Sequence, residues 1–154
     1  MLADFHTLPE QARIWLYACE KALTQSQQDY ILNIISEELK DWNAHQRPLT
    51  AGVTILENHF IIIALDESKH NASGCSIDKL QNSIQKIEKE LSIPLMNRLN
   101  IFCKIEGLIV CVPSFKLQSI AKAETYFYDL TILRKSDLSN YLKPISEGWC
   151  ANLV

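Results

Sequence analysis

Cys75 stands among small and hydroxyl residues in Ser73-Gly74-Cys75-Ser76, shortly after the acidic pair of Asp66-Glu67-Ser68. A cysteine near the start of a helix feels the positive end of the peptide dipole, which favours thiolate over thiol and so a nucleophile. A nucleophile of that kind needs a base and a group to orient it, and His45, His70, Asp66 and Asp78 are side chains of the right types. Asp66, Glu67 and His45 are also the set from which an acidic metal-assisted hydrolase would be built, although no HxxxH or HxH spacing marks a metal site. The same residues have a plain structural reading. Ser76 or Asp78 would cap a helix, Gly74 would turn the chain, Cys75 would fill a small space, and Asp66 and Glu67 would open a solvated loop. His45, one turn after Trp42, would sit at a helix C-terminus, where the dipole favours a protonated imidazole.

The elements that must position these groups follow from hydrophobic spacing. Residues 13–19 are aromatic, branched and few, and predict a strand. Thr24-x-x-Gln27 has capping-box form, and Ile31, Ile35, Leu39 and Trp42 recur at helical spacing in the section that Pro48 ends. Thr50–Leu56 predicts a second strand and Asn58 a tight turn. The unbroken apolar run 60–65 predicts a strand covered on both faces, the sheet centre. After the loop 66–74, Ile77, Leu80, Ile84, Ile87 and Leu91 step by three and four along a helix that Pro94 closes. Asn100–Ile105 and residues 108–112 predict a hairpin around Glu106-Gly107, stopped by Pro113. Beyond it lie a short amphipathic piece at 115–121, an aromatic β-like segment at 125–133 and a helix capped by Ser136.

The order β-α-β-β-α-β-β contains the split βαβ of the ferredoxin-like sandwich, in which both crossover helices cover one face of an antiparallel sheet. The expected fold is therefore α+β, with a ferredoxin-like core in which the strands at 13–19 and 60–65 are central. A single domain is expected over 1–154, with a core at 12–113 and a C-terminal extension at 114–154 packed on it. Asp66, Glu67 and Ser68 leave the central strand while Ser73, Gly74, Cys75 and Ser76 open the next helix, so this ligand-binding set should meet near one end of the sheet. Gly74 is the position where an unusual backbone angle would first be sought.

Composition narrows the function. At 154 residues and 47% hydrophobic content the chain can bury a core without disulfides or a structural metal. A formal charge of −3 disfavours a nucleic-acid backbone binder, and neither 13–19 nor 108–112 interleaves basic residues with aromatics as an RNA-binding strand would. Cys19, Cys75, Cys103, Cys111 and Cys150 are odd in number, widely spaced and without a CxxC pair, against a disulfide framework or zinc ribbon. Residues 1–6 lack the basic and apolar regions of a signal peptide, and no apolar stretch approaches the ~18 residues of a spanning helix. The expectation is a cytoplasmic protein with no membrane partner, no cofactor and no metal. Trp15, Tyr17, Trp42, Tyr126, Phe127, Tyr128 and Trp149 suggest a helix-free face that meets a protein partner or forms a homodimer seam.

Ile61-Ile62-Ile63-Ala64-Leu65-Asp66-Glu67 has Walker B form, in which the aspartate helps hold magnesium and the glutamate polarises water, and Ala72-Ser73-Gly74-Cys75-Ser76 is similar to the LSGGQ signature of ABC ATPases. Nearly the whole chain resembles a family of Bacteroidota proteins of about this length that often carry the name "ABC transporter ATPase". The residues that carry the resemblance are Ala12-Arg13-Ile14-Trp15 with Leu23-Thr24, Trp42-x-x-His45-x-x-Pro48-Leu49, Asp66-Glu67-Ser68, and Ala72 to Asp78. The family closes on Ser-Trp-His where this chain has Gly148-Trp149-Cys150, so no role of that histidine transfers. Nor does the ATPase name: Gly52, Gly74, Gly107 and Gly148 are too far apart for GxxxxGK[ST] or GxGxxG, and the signature-like segment follows the strand it should precede. The sequence reads first as a non-enzymatic binding or interaction module of unknown ligand, second as a thiol-dependent enzyme using Cys75, and third as the metal-assisted hydrolase.

Overall fold

The computed structural model describes residues 1–154. They fall into two compact units, Met1–Leu95 with Leu133–Ser136, and Met96–Ile132 with Asp137–Val154. Each carries its own antiparallel sheet, and the chain is α+β.

The first unit runs β1 (Arg13–Ala18), α1 (Gln25–Lys40), β2 (Asn43–Ala44), β3 (Arg47–Pro48), β4 (Thr50–Leu56), β5 (Phe60–Asp66) and α2 (Gly74–Leu91). The expected capping box starts α1: the Thr24 hydroxyl accepts from the Gln27 N–H and the Gln27 side chain accepts from the Thr24 N–H. Ile31, Ile35 and Leu39 on its stripe are fully buried, each contributing about 1.5–3 kcal/mol by leaving water. Leu80, Ile84 and Ile87 do the same on α2, which ends at Ser92 in the left-handed conformation, φ 54°, with its N–H donating to the Glu88 carbonyl. α1 packs on β4 and on α2.

Side chains Phe60 to Leu65 of β5 have no accessible surface, and β5 lies between β1 and β4. The order β1-β5-β4 is the one the first three strands of a ferredoxin-like core take, but the strand Asn100–Ile105 expected beside β1 is not in this sheet. β1 is therefore an edge and not a second central strand. Two of its outer N–H groups are taken by irregular chain instead: Ile14 donates to the Leu133 carbonyl at 3.0 Å and Ala18 to that of Leu95 at 3.2 Å. The Leu133–Ser136 piece is held further by Lys135, whose N–H donates to the Ala12 carbonyl. Its ammonium donates to the carbonyls of Phe5, His6 and Leu8 at 3.1, 3.3 and 2.7 Å. At β4 the outer groups of Ala51 pair with Met1 and Ala3.

In the second unit β6 (Asn100–Ile105), β7 (Leu108–Pro113), α3 (Leu117–Ile120), β8 (Tyr126–Tyr128) and β9 (Leu142–Pro144) follow in sequence. The sheet order is β7-β6-β8-β9, so the predicted hairpin shares a sheet with the tail. The aromatic segment's Phe127 joins Ile101, Cys103, Val112, Leu117, Ile145 and Cys150 in one buried cluster. A Cβ on Gly148 would come within 2.1 Å of the Phe127 ring, which is why no larger residue fits there.

Asp129 is buried at the end of β8, and burial alone would raise its pKa. The Thr131 hydroxyl and N–H and the Lys143 ammonium at 3.0 Å outweigh that effect and hold its carboxyl below the ordinary value. A carboxylate with a depressed folded pKa stabilises the fold above its unfolded value, near 3.9, and loses that contribution as pH falls through the folded value. Asp129→Asn is expected to lower stability by about 1–3 kcal/mol at pH 7. The gap between variant and wild type should narrow in urea titrations carried to progressively lower pH beneath the unfolded value; a gap independent of pH would remove the charge as its cause.

Candidate functional site

Where the apolar run of β5 stops, its next residues tie the loop to itself and to β1. The Asp66 Oδ1 accepts the Ser68 N–H at 3.0 Å, an Asx turn. Glu67 is mostly buried, its side chain 18% exposed; its Oε2 accepts the Ala72 N–H at 3.2 Å and lies 3.9 Å from Arg13, while Oε1 lies 3.7 Å from Arg134. The Arg13 guanidinium stacks 4.7 Å over the Trp15 ring, and Trp15 meets Trp42 edge-on at 5.8 Å. The Trp42 Nε1–H then donates to the Ser76 carbonyl in the first turn of α2 at 2.8 Å. One connected set of contacts thus fixes both ends of the loop 67–73.

Burial of Trp42 also explains why His45 is not at a helix end. α1 stops at Lys40, Trp42 turns inward with 1% exposure, and the chain makes the short hairpin β2–β3. His45 and Gln46 form its two-residue loop with φ of 51° and 66°, the left-handed pair that a type I′ turn requires. Without glycine or asparagine there, the turn had no sequence signal.

The hairpin residues Ala44, His45 and Arg47 face the loop 67–73 across an open cleft of about 640 Å³. Of the expected binding set, Glu67, Ser68 and Ser73 line it, together with His45 and His70. Asp66 instead lines a neighbouring cleft of about 510 Å³ with Gln11 and Arg134, Glu67 and Ser68 being common to the two. Gly74, Cys75, Ser76 and Asp78 are in neither lining. Sequence reasoning missed Arg47 and Lys69, which line the first cleft and take part in none of the chain's ion pairs.

The helix entrance is a capping box. Ser73, not Ser76 or Asp78, is the N-cap of α2; its hydroxyl accepts the Ser76 N–H at 3.1 Å, and the Ser76 hydroxyl accepts the Ser73 N–H at 2.7 Å. Gly74 is the first helical residue, without a left-handed angle, and nothing lies within 4 Å of where its Cβ would be. The expectation of a special backbone position there is corrected: only Gly107 among the glycines has positive φ, in the β6–β7 turn. Cys75 and Asp78 are exposed on the first turns of the helix. No group of three or more His, Cys, Asp or Glu side chains is placed to hold a metal ion, so Asp66, Glu67 and His45 do not converge as a ligand set.

All five cysteines are free. Burial pushes the Cys103 thiol up to about 11, with a smaller push from Cys150, and burial raises Cys19 and Cys150 as well. No family model, curated protein or solved structure matches the chain.

In native protein treated with iodoacetamide, mass spectrometry should find Cys75 alkylated well before Cys19, Cys103 and Cys150, which react on unfolding. A Cys75 rate no greater than that of a free thiol would end the thiol-enzyme reading. Gly74→Ala should leave the cleft intact and raise stability by about 0.4–1 kcal/mol, since alanine restricts the unfolded chain and meets no atom in the folded one. A lower thermal midpoint for that variant would contradict the helical geometry.

Proposed function

We propose that the protein is a non-enzymatic binding module whose site is the cleft between the β2–β3 hairpin and the loop 67–73, and that it takes small anions bearing carboxylate or phosphate groups. One observation carries this reading. Arg47 and Lys69 line the cleft without ion-pair partners, whereas its one carboxylate, Glu67, is already engaged by Arg13, Arg134 and the Ala72 N–H. Positive charge is thus left uncompensated in a chain whose formal charge is −3, and a concave site of that sign concentrates anions. His45, His70, Ser68 and Ser73 add polar groups along the walls that can hydrogen-bond such a ligand.

Neither enzyme reading gains support from the same geometry, because Cys75 lies outside the cleft lining and the metal-ligand types do not converge. The likeness to the Bacteroidota family adds no activity, since the chain has no glycine-rich phosphate loop. A cytoplasmic setting is part of the proposal: five free cysteines suit a reducing compartment, and no helix is long and apolar enough to cross a membrane.

Titration of labelled protein with inorganic phosphate and with citrate, followed by amide chemical shifts, tests the site. Saturable shifts are expected at 45–47 and 67–73, and the double variant Arg47→Glu, Lys69→Glu should weaken binding at least tenfold. Absence of saturable shifts with either anion, or unchanged affinity in the double variant, would refute the anion site.

A further inference from the structure

The two edges of the first unit's sheet are closed to different extents. On β1 the outward N–H groups of Ile14 and Ala18 find carbonyls, those of Leu133 and Leu95, and only Leu16 between them is left without a backbone partner. On β4 the outward residue Ala51 is paired on both its groups by Met1 and Ala3. Strand alternation turns Val53 and Ile55 outward too, and their N–H and C=O groups on that side have no partner within the chain. The N-terminal segment leaves the edge at Gly52, where a Cβ would lie 2.6 Å from the Ala3 carbonyl oxygen and 2.9 Å from the Phe5 nitrogen.

The open span is therefore 53–56, Val-Thr-Ile-Leu, half-buried throughout. None of the usual guards of a sheet edge is present there. The four residues carry no charge and no proline, and the pairing of β4 with β5 is continuous from Thr50 to Leu56 with no bulge. We propose that this edge pairs with the same edge of a second copy of the chain. In a two-fold antiparallel arrangement Val53 faces Ile55 of the partner subunit and Ile55 faces Val53 of the partner subunit, with Thr54 on the axis.

Two features favour a second copy over a longer foreign strand. A strand with no charged residue opposes itself without setting like charges against each other. The span is also short: Met1–Ala3 occupies the edge at Ala51 and would block a strand that continued past it, while a copy brings a free stretch of the same length. The result is a continuous sheet of order β1-β5-β4-β4-β5-β1, and it is independent of the anion cleft.

Sedimentation equilibrium over a rising concentration series, with hydrogen exchange read at single amides, tests the pairing. The mass should climb toward twice that of the chain, and exchange at Val53 and Ile55 should slow with it, about tenfold when nine chains in ten are paired. Ile55→Lys places like charges beside the axis and should hold the protein at single-chain mass; Thr54→Lys makes the same test should the first variant fold poorly. A wild type that stays at single-chain mass up to millimolar concentration overturns the proposal. So does a dimer in which protection appears along β7 and not at Val53 and Ile55, or one that persists in a folded lysine variant.

Discussion

A strand that is out of water on both faces imposes obligations on everything beside it. Phe60 to Leu65 are such a strand, and each backbone polar group left unpaired there would cost about 1–3 kcal/mol. β1 and β4 meet that demand along the two edges of β5 in uninterrupted register. The requirement is only moved outward by doing so. β1 in turn draws Leu133 and Leu95 to its far side, and β4 draws the first three residues of the chain. The sheet is narrow, and short pieces of irregular chain take the place of further strands.

The end of that buried run is also where charge first appears, and Glu67 organises it. A carboxylate after an apolar strand has the look of catalysis in one dimension. In three it is surrounded by two guanidinium groups and a backbone N–H, an arrangement that holds a loop in place. Ion-pair networks of this structural sort resemble active sites in composition and differ from them in having their partners supplied internally. The same arrangement decides the character of the cleft, because neutralising Glu67 from behind leaves Arg47 and Lys69 as its unbalanced charges.

Much of this was legible from local signals. The Thr24 capping box, the stripe of Ile31, Ile35 and Leu39, the continuous apolar strand and the Glu106-Gly107 hairpin each depend on neighbours within a few residues, and each is found where spacing put it. What depended on distant partners was not legible. Trp42 continues the helical stripe, yet its indole is drawn to the Ser76 carbonyl, so α1 ends early and His45 lands on a hairpin tip. The Asn100–Ile105 strand has the pattern of a fourth core strand. Its apolar residues Ile101 and Cys103 instead serve a cluster with Phe127 and Ile145, and nothing in the strand itself distinguishes the two destinations. Of the expected site, Glu67, Ser68 and Ser73 come together at one cleft while Asp66 lines the next, and the basic residues Arg47 and Lys69 belong to no motif. Arg134 was invisible for the same reason: its partner Glu67 lies on another element far away in sequence.

The four residues Leu133–Ser136 belong to the first unit although the chain has by then already built most of the second. During synthesis Leu95 can cover β1 at Ala18 as the first unit emerges, whereas the closure at Ile14 needs Leu133 and comes with the Leu133–Ser136 piece, whose Lys135 ammonium also binds the carbonyls of Phe5, His6 and Leu8. A ribosome-bound nascent chain ending before Leu133 carries every strand of the first sheet and still lacks this part of its closure.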